Sequence, residues 1–328
     1  MRSLLFVPIT VMLALVIAGC GSSASPSATP ASQVPASLRP GGVNHVHAIA
    51  VAATNPKDLF MGTHYRLYHS TNGGLTWHPL ISQMVLSLAW SASHPNELYA
   101  LSLQKGLLKS TDGGQNWSKM SGGPPPSKAT GVVIDNATGV VFAYGLGIYR
   151  DSGNRWTSQL PKESIASVAV GAGGSVYAAT GDGLFVSHHD GLGWQRVSVI
   201  GTQPVIQVVA AQQTAYADAP MQVFKSTNDG NSWKGLNSPQ GINFMGVARR
   251  HPSEVFGYVG LRGFMASYDG GKTWHASGKG IHYRNFDAST IQVAPSNPNV
   301  VYTGAWGVHF YTSHDGGHQW TLAATLKH

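Results

Sequence analysis

The octapeptide SYDGGKTW at residues 267–274 decides the fold, because its pattern Ser-x-Asp-x-Gly-x-x-Trp returns along the chain. The copies lie at residues 70–77, 110–117, 149–156, 187–194, 226–233, 267–274 and 313–320. We align the degenerate third copy with Asp151 in the Asp position, and the fourth has His189 there. The seven final tryptophans are separated by 40, 39, 38, 39, 41 and 46 residues. A nearly constant spacing of this size indicates a repeat architecture.

Each copy makes physical sense as a tight turn between two strands. Gly adopts the positive φ that a side chain resists, and Asp or Asn hydrogen-bonds the backbone of its own turn. The Ser hydroxyl does the same, and the Trp buries a large apolar surface where the next strand begins. The pattern therefore predicts seven strand–turn–strand units, and the residues of the turns are structural.

This motif is the Asp-box, or BNR repeat, and the chain resembles Asp-box β-propellers over residues 43–328. That group includes sialidases, sortilin-type receptors, xyloglucanases and photosystem II assembly factors. The resemblance implies an all-β fold, a seven-bladed β-propeller of four-stranded antiparallel blades with Asp-box turns. It implies no single activity, because one fold hosts many functions.

Composition agrees with a turn-rich all-β protein. Only 11% of the 328 residues are charged, and 40 are glycine. The formal net charge is +7, but the basic residues are scattered, so we expect no nucleic-acid partner. Anionic lipid headgroups or glycans suit this charge better. We expect one propeller domain and a monomer.

The N-terminus has the pattern of a bacterial lipoprotein signal. Arg2 precedes an apolar run at residues 4–17, and the sequence IAGC ends at Cys20, the only cysteine. We predict a signal peptide at 1–19, then a lipidated Cys20 and a disordered Ser/Ala/Pro tether at 20–42, and the propeller at 43–328. The protein is then exported and anchored to the cell membrane through lipid on Cys20.

Alternating strand direction sorts the loops of a propeller onto two faces. If the strands of each blade are lettered A to D, the A–B turns and the Asp-boxes share one face, which we name the Asp-box face. The D–A and B–C loops share the other, which we name the irregular face. Because the Asp-box face repeats, we expect function on the irregular face.

Three histidines on the irregular face are not required by the repeat. His45 and His47 are two residues apart in strand A of blade 1, and His64 follows strand B. The other blades have residues such as Met84 and Leu86 in their places. Side chains two apart in a strand point to the same side, so the three imidazoles predict a Zn²⁺ or Cu²⁺ site. The alternative is a polar rim without a ligand.

A long D–A loop between blades 6 and 7 brings further polar and aromatic groups to this place. We predict that the loop and the B–C segment of blade 7 form a small-ligand or glycan pocket. Its residues are Tyr283, Arg284, Asp287, Trp306 and His309. An ordinary extended surface loop is the alternative.

Two functional hypotheses follow. In the first, the propeller is a binding platform for a protein, glycan or metal ligand. In the second, it is a glycoside hydrolase, exo-sialidase-like or xyloglucanase-like, with Asp287, Asp182 and Asp218 as candidate catalytic carboxylates. The Arg-Ile-Pro signature of sialidases is absent, and the chain has three Glu. We therefore favour the binding platform.

Overall fold

The protein is described by a computed structural model that covers residues 45–153, 155–160, 163–260, 262–281, 288–305 and 307–325. Over these residues the strands form seven antiparallel sheets of four, arranged as a ring in which strand A of each blade contacts strand A of the next. The only helix among them is the single 3-10 turn Pro126–Lys128. None of the described residues forms a helix long and apolar enough to cross a membrane. The predicted all-β, seven-bladed propeller is confirmed.

The strands follow chain order within each blade. Blade 1 has β1 (Val46–Val51), β2 (Leu59–Thr63), β3 (Leu67–Ser70) and β4 (His78–Ile81). Blade 2 has β5 (Val85–Trp90), β6 (Leu98–Ser102), β7 (Gly106–Ser110) and β8 (Ser118–Lys119). Blade 3 has β9 (Ala129–Ile134), β10 (Val141–Gly145), β11 (Gly147–Asp151) and β12 (Trp156–Ser158). Blade 4 has β13 (Ile165–Val170), β14 (Val176–Thr180), β15 (Gly183–Ser187) and β16 (Gln195–Arg196). Blade 5 has β17 (Gln207–Ala211), β18 (Thr214–Ala219), β19 (Gln222–Ser226) and β20 (Lys234–Gly235). Blade 6 has β21 (Ile242–Val247), β22 (Val255–Val259), β23 (Gly263–Ser267) and β24 (His275–Ala276). Blade 7 has β25 (Ala288–Val293), β26 (Val301–Ala305), β27 (His309–Ser313) and β28 (Thr321–Thr325).

The burial of the strands follows from their place in the ring. Strand B is buried at most or all of its positions in every blade, because both of its faces are covered by neighbouring blades. Strand D lies at the outer edge and is short or exposed. Strand A lines the central channel and contains a mixture of buried and half-buried residues, with an exposed residue in blades 3, 4 and 6. Most of the core therefore lies between blades, and no blade can bury its apolar faces alone.

The Asp-box of blade 2 shows the hydrogen bonds that hold a complete box, and its Ser–Gly and Ser–Asx bonds recur in blades 1, 5, 6 and 7. The Gly114 N–H donates to Ser110 Oγ at 2.9 Å, and the Ser110 hydroxyl donates to Asp112 Oδ1 at 2.8 Å. Asp112 also accepts from the Asn116 N–H at 2.9 Å. Hydrogen bonds from Asn116 and Ser110 lower the pKa of Asp112 to about 2. Trp117 Nε1 donates to the Gly114 carbonyl at 2.8 Å, which fixes the ring against the turn.

The final glycine of the box also packs against the preceding blade. A Cβ on Gly230 in blade 5 would lie 2.7 Å from the ring of Tyr177 in blade 4. A Cβ on Gly317 in blade 7 would lie 2.8 Å from the ring of Phe256 in blade 6. The same close approach joins box glycines to aromatic rings at three further junctions, and at the junction of blades 5 and 6 a Cβ on Gly271 would meet Leu236 at 2.6 Å. The position therefore requires glycine for two reasons: the backbone has a positive φ, and a side chain would overlap the neighbouring blade.

The third copy departs from our alignment. Asp151 pairs with Val141 across blade 3, as Ser110 pairs with Leu98 in blade 2. Asp151 thus occupies the Ser position of the box, and the prediction that it fills the Asp position is wrong. The loop is two residues shorter, so Trp156 pairs directly with Asp151 in a tight hairpin. Alignment on the tryptophan alone does not reveal a deletion on its N-terminal side.

The ring closes between blades 7 and 1 without strand exchange among the described residues, since β25 to β28 form the whole of blade 7. Val46 and Phe310 share one apolar cluster across this junction. The Tyr302 hydroxyl donates to the Pro56 carbonyl at 2.7 Å. A Cβ on Gly304 would lie 2.6 Å from the Cβ of Val46, so the close approach of the two blades requires glycine there.

We expect Gly304→Ala to destabilise the propeller, because the added methyl group meets Val46 in a junction with no free space. Overpacking of this kind costs about 1–3 kcal/mol, a decrease in Tm of roughly 3–10 °C. Gly181→Ala is the matched control, because a Cβ at Gly181 has no atom within 4 Å. Thermal unfolding followed by circular dichroism measures both; equal Tm values for the two variants would contradict the assignment of Gly304 to ring closure.

Candidate metal centre on the irregular face

The three predicted histidines lie together at the start of blade 1. The ring centroid of His45 is 4.1 Å from that of His47 and 5.5 Å from that of His64, and the centroids of His47 and His64 are 5.8 Å apart. One nitrogen from each ring lies within 4.8 Å of those of the other two. The His64 N–H donates to the His45 carbonyl at 3.2 Å, which ties strand A to the turn after strand B.

A β-bulge places His47. Val46 pairs with Thr63 and Ala48 pairs with Gly62, so His47 is an extra residue with no partner position opposite it. Blades 2, 4, 6 and 7 show the same register shift, so the bulge belongs to the repeat and the histidine does not. Bulges are common next to functional sites because they redirect one side chain out of the ladder.

Burial keeps two of the rings in the form that binds metal. Burial, then the charges of His45 and His64, lower the pKa of His47 to about 3. Burial also lowers the pKa of His64. His47 Nε2 and His64 Nδ1 are inaccessible to solvent, and within the described residues they have no hydrogen-bond partner. Neutral imidazole nitrogen is the ligand that Zn²⁺ and Cu²⁺ accept, so the residues fit such an ion.

His47 also lines a cavity in the central channel. The cavity there has a volume of about 660 Å³ and is bounded by the A strands of the blades. Among the described residues that line this cavity, two have ionisable side chains, His47 and Tyr144. Its polar lining residues include Ser87, Thr130, Ser167, Gln207, Asn243 and Ser289. An ion on the histidines would therefore adjoin a neutral space large enough for a small molecule.

The rest of the predicted pocket is only partly described. Tyr283, Arg284, Asp287 and Trp306 lie outside the described residues, so their place in the pocket stays a prediction. His309 begins β27, and its Nδ1 atom lies 3.3 Å from Thr325 Oγ1 in the same blade.

The neighbouring Val308 is fully buried in the cluster that contains Val46. The B–C segment of blade 7 therefore reaches the strand that carries the histidines.

Of the candidate carboxylates, Asp182 is an exposed turn residue. Its N–H donates to Thr180 Oγ1 at 3.1 Å, and its carbonyl accepts from Arg196 Nη1 at 2.8 Å. This environment suits a turn, and the catalytic role of Asp182 stays a prediction.

Asp218 is buried between blades. It lies in β18 with 1% of its surface exposed, and both carboxylate oxygens are without a hydrogen-bond partner among the described residues. Its register position corresponds to Gly62 in blade 1 and Leu101 in blade 2. Desolvation raises the pKa of Asp218 to about 8. A catalytic role for Asp218 also stays a prediction, but as placed it cannot reach a substrate in solvent.

One further His–carboxylate pair was not singled out from the sequence. His69 Nε2 lies 2.7 Å from Asp58 Oδ1, and the ring stacks on Phe60 with centroids 4.2 Å apart. In blade 2 the corresponding positions hold Lys109 and Glu97, which form an ion pair at 3.1 Å. The pair therefore belongs to the blade scaffold, where a strand C side chain binds an acid of the A–B turn.

We expect Asp218→Leu to stabilise the protein more at pH 8 than at pH 4.5. In the unfolded chain the Asp pKa is about 3.9, so between about pH 4 and 8 the unfolded chain has lost the proton that the folded chain retains. Stability of the parent therefore falls as pH rises through this range. The Asp218→Leu variant carries the leucine that blade 2 has at this position, so its stability should not fall with pH in this way. Between pH 4.5 and 8 the free energy of unfolding of the variant should gain on the order of 2–5 kcal/mol relative to that of the parent.

Urea unfolding at pH 4.5, 6.5 and 8 measures this difference. Asp182→Asn, at an exposed position, is the control and should track the parent at each pH. A gain from Asp218→Leu that does not vary with pH would show that Asp218 is ionised in the fold.

Comparisons with known proteins agree with this architecture. The family model described as BNR/Asp-box repeat matches residues 68–79 and 108–119. No curated protein matches the chain. Among solved structures, the GH74 enzyme of Niastella koreensis is similar with a TM-score of 0.69 and 17% identity, over 88% of this chain and 55% of the enzyme. The chain thus spans about half the length of that enzyme.

Two structures of YCF48 are similar over nearly their whole length. YCF48 from Cyanidioschyzon merolae has a TM-score of 0.65 and 16% identity, over 84% of this chain and 97% of that one. YCF48 bound to D1 peptide has a TM-score of 0.62 and 17% identity, over 80% and 90%. Identities this low show a shared fold. The chain is a seven-bladed β-propeller built on BNR/Asp-box repeats.

Proposed function

We propose that the protein is an exported, membrane-anchored lipoprotein whose propeller binds a Zn²⁺ or Cu²⁺ ion through His45, His47 and His64. The ion serves as the recognition centre of a binding platform on the irregular face. The observation that carries the proposal is the convergence of three imidazoles whose ligand nitrogens lie within 4.8 Å of one another.

The three ligand nitrogens are close enough together that small side-chain rotations would bring all of them to one ion. Ligand nitrogens about 2.0–2.1 Å from a tetrahedral Zn²⁺ are roughly 3.3 Å apart, so each ring moves by an ångström or so. Without an ion, His47 Nε2 and His64 Nδ1 are buried nitrogens with no partner among the described residues, which costs free energy. A bound ion supplies that partner. The bulge is kept in blades that lack the histidines, so stability of the fold does not require them.

Three protein ligands leave a coordination position for a further group. His47 lies on the wall of the central cavity, so that position adjoins a neutral space of about 660 Å³. Tyr283, Arg284, Asp287, Trp306 and His309 belong to the same proposed site, where they would contact a protein or glycan ligand. The solved complex of YCF48 with D1 peptide supports a protein ligand for this fold.

The alternative function is glycoside hydrolysis, which the fold shared with a GH74 enzyme favours. Ordinary hydrolysis needs two carboxyl groups flanking one glycosidic bond. On the described part of the irregular face, Asp218 is buried between blades and Asp182 is held in a turn. The binding platform is therefore the better-supported function.

We expect the parent protein to bind one Zn²⁺ or Cu²⁺ ion after treatment with a chelator. The double variant His45→Met, His47→Leu should bind it at least about 100-fold more weakly, because two direct ligands are lost. The replacements copy Met84 and Leu86 of blade 2, so the fold should be retained. Isothermal titration measures the affinity and stoichiometry, and circular dichroism checks the fold.

His275→Ala is the matched control, since His275 is exposed on strand D of blade 6. It should bind the ion like the parent. Parent protein that takes up neither ion, or a folded double variant with parental affinity, would refute the metal centre.

We expect Cys20→Ala to release the protein from the membrane fraction or to block its maturation, because the thiol is the only site for the lipid in this chain. Fractionation of cells and the mass of the mature protein measure this. Ser22→Ala, which leaves the thiol in place, should remain in the membrane fraction. Unchanged membrane association of Cys20→Ala, with unchanged mass, would contradict the lipid anchor.

A further inference from the structure

Exposed apolar side chains are concentrated on one sector of the irregular face. Among the described residues, nine large hydrophobic side chains are exposed. Five of them lie in the B–C turns and D–A loops of blades 2 to 5: Leu103, Leu146, Val199, Ile206 and Met221. Of these nine described side chains, Leu75 and Leu192 alone lie on the Asp-box face, in separate turns. We name the sector formed by the five side chains the apolar arc.

Backbone contacts join the part of the arc in blades 2 and 3. A Cβ on Gly106, in the turn that carries Leu103, would lie 3.3 Å from Pro126 Cγ. The 3-10 turn that starts at Pro126 ends at Lys128, whose carbonyl accepts from the Leu146 N–H at 2.9 Å. The two apolar tips therefore stand on touching loops, with Lys128 between them.

The part of the arc in blades 4 and 5 is joined in the same way. A Cβ on Gly183 would overlap the carbonyl of Gly201, in the loop that carries Val199. The Ile206 N–H donates to the Asp218 carbonyl at 2.8 Å, at the end of the strand that leads to Met221. The arc is thus a surface over adjacent blades, in contrast to the isolated apolar residues that are normal on protein surfaces.

Charge is divided unequally between the two faces. Of the 14 acidic residues, ten lie in the A–B turns or Asp-box segments. On the described part of the irregular face the acidic residues are Glu163, Asp182 and the buried Asp218, whose pKa desolvation raises to about 8. The arc itself carries exposed Lys105 and Lys128, with Arg196 at its outer edge. The face therefore presents cations around apolar tips.

The expected attachment of the chain through Cys20 allows this face to meet the membrane. Cys20, the expected lipid site, is 25 residues before His45, and His45 stands on the irregular face. A chain of that length spans at most roughly 80–90 Å, so the irregular face lies within reach of the membrane.

We propose that the apolar arc of the irregular face docks on an anionic membrane surface. The Leu, Val, Ile and Met tips enter the boundary between headgroups and acyl chains, and Lys105, Lys128 and Arg196 contact lipid phosphates. Shallow apolar insertion together with basic residues is the combination that holds proteins at such a boundary, and a second attachment of this kind makes a single lipid anchor durable. The histidines of blade 1 lie outside the arc.

The docking is tested with a chain of residues 21–328, which lacks the thiol and the signal. The propeller is complete in it, because all seven blades and the closure between blades 7 and 1 lie within residues 46–325. We expect it to sediment with vesicles of equal phosphatidylglycerol and phosphatidylcholine, and to bind pure phosphatidylcholine at least about tenfold more weakly. Raising the salt concentration should weaken binding to the anionic vesicles, because salt screens the attraction between the basic side chains and the lipid phosphates.

Two double variants address the arc separately from the rest of the surface. Leu146→Ser with Met221→Ser removes two apolar tips, and Lys105→Gln with Lys128→Gln removes two charges. Each should lower the partition into anionic vesicles by about tenfold or more. The matched control, Leu75→Ser with Leu192→Ser, removes exposed leucines of the opposite face and should change it less than twofold.

The proposal is overturned if the parent chain does not sediment with anionic vesicles. It is also overturned if the control loses as much binding as the arc variants. A third contrary outcome is self-association of the parent, seen by size exclusion and abolished by the leucine and methionine changes, which would assign the arc to a second copy of the chain.

Discussion

The ring depends on the contact between an Asp-box glycine and an aromatic ring of the preceding blade. The turn brings its backbone so close to the ring of Tyr177 or Phe256 that a Cβ on Gly230 or Gly317 would overlap it. Ser Oγ holds that glycine by accepting its N–H at 2.9 Å. The hydrogen bonds within these turns therefore position the surface that packs against the preceding blade, so local turn chemistry contributes directly to the assembly of the propeller.

Much of this architecture follows from the sequence, because repetition carries the information. Seven tryptophans at nearly constant spacing give seven blades, and alternation of strands sorts the loops onto two faces. The sequence does not reveal contacts between blades: the partner of Gly230 is Tyr177, 53 residues earlier in the chain. It also misplaces Asp151, since the deletion in the third box lies before the tryptophan used for alignment.

The structure brings the three histidines together, but not by the regular strand geometry that the sequence analysis assumes. Spacing of i and i+2 in a regular strand predicts that His45 and His47 share one side, but β1 is not regular there, because a bulge inserts His47 between Val46 and Ala48. The rings still converge, with centroids 4.1 Å apart. For Asp218 the sequence places the residue near the loop face, whereas the packing of blade 5 buries it, and only the neighbouring blades determine that burial.

The separation of the two faces is a consequence of the repeat itself. The boxes use carboxylates such as Asp112 as acceptors for their own backbone, and hydrogen bonds from Asn116 and Ser110 lower the pKa of Asp112. Most of the acidic residues are therefore committed to one face by the requirements of folding. The loops of the other face have no such requirement, and in their described part they carry few acidic residues. A histidine cluster, a neutral central cavity and a basic apolar arc can then occupy that face without disturbing the turns that hold the ring together.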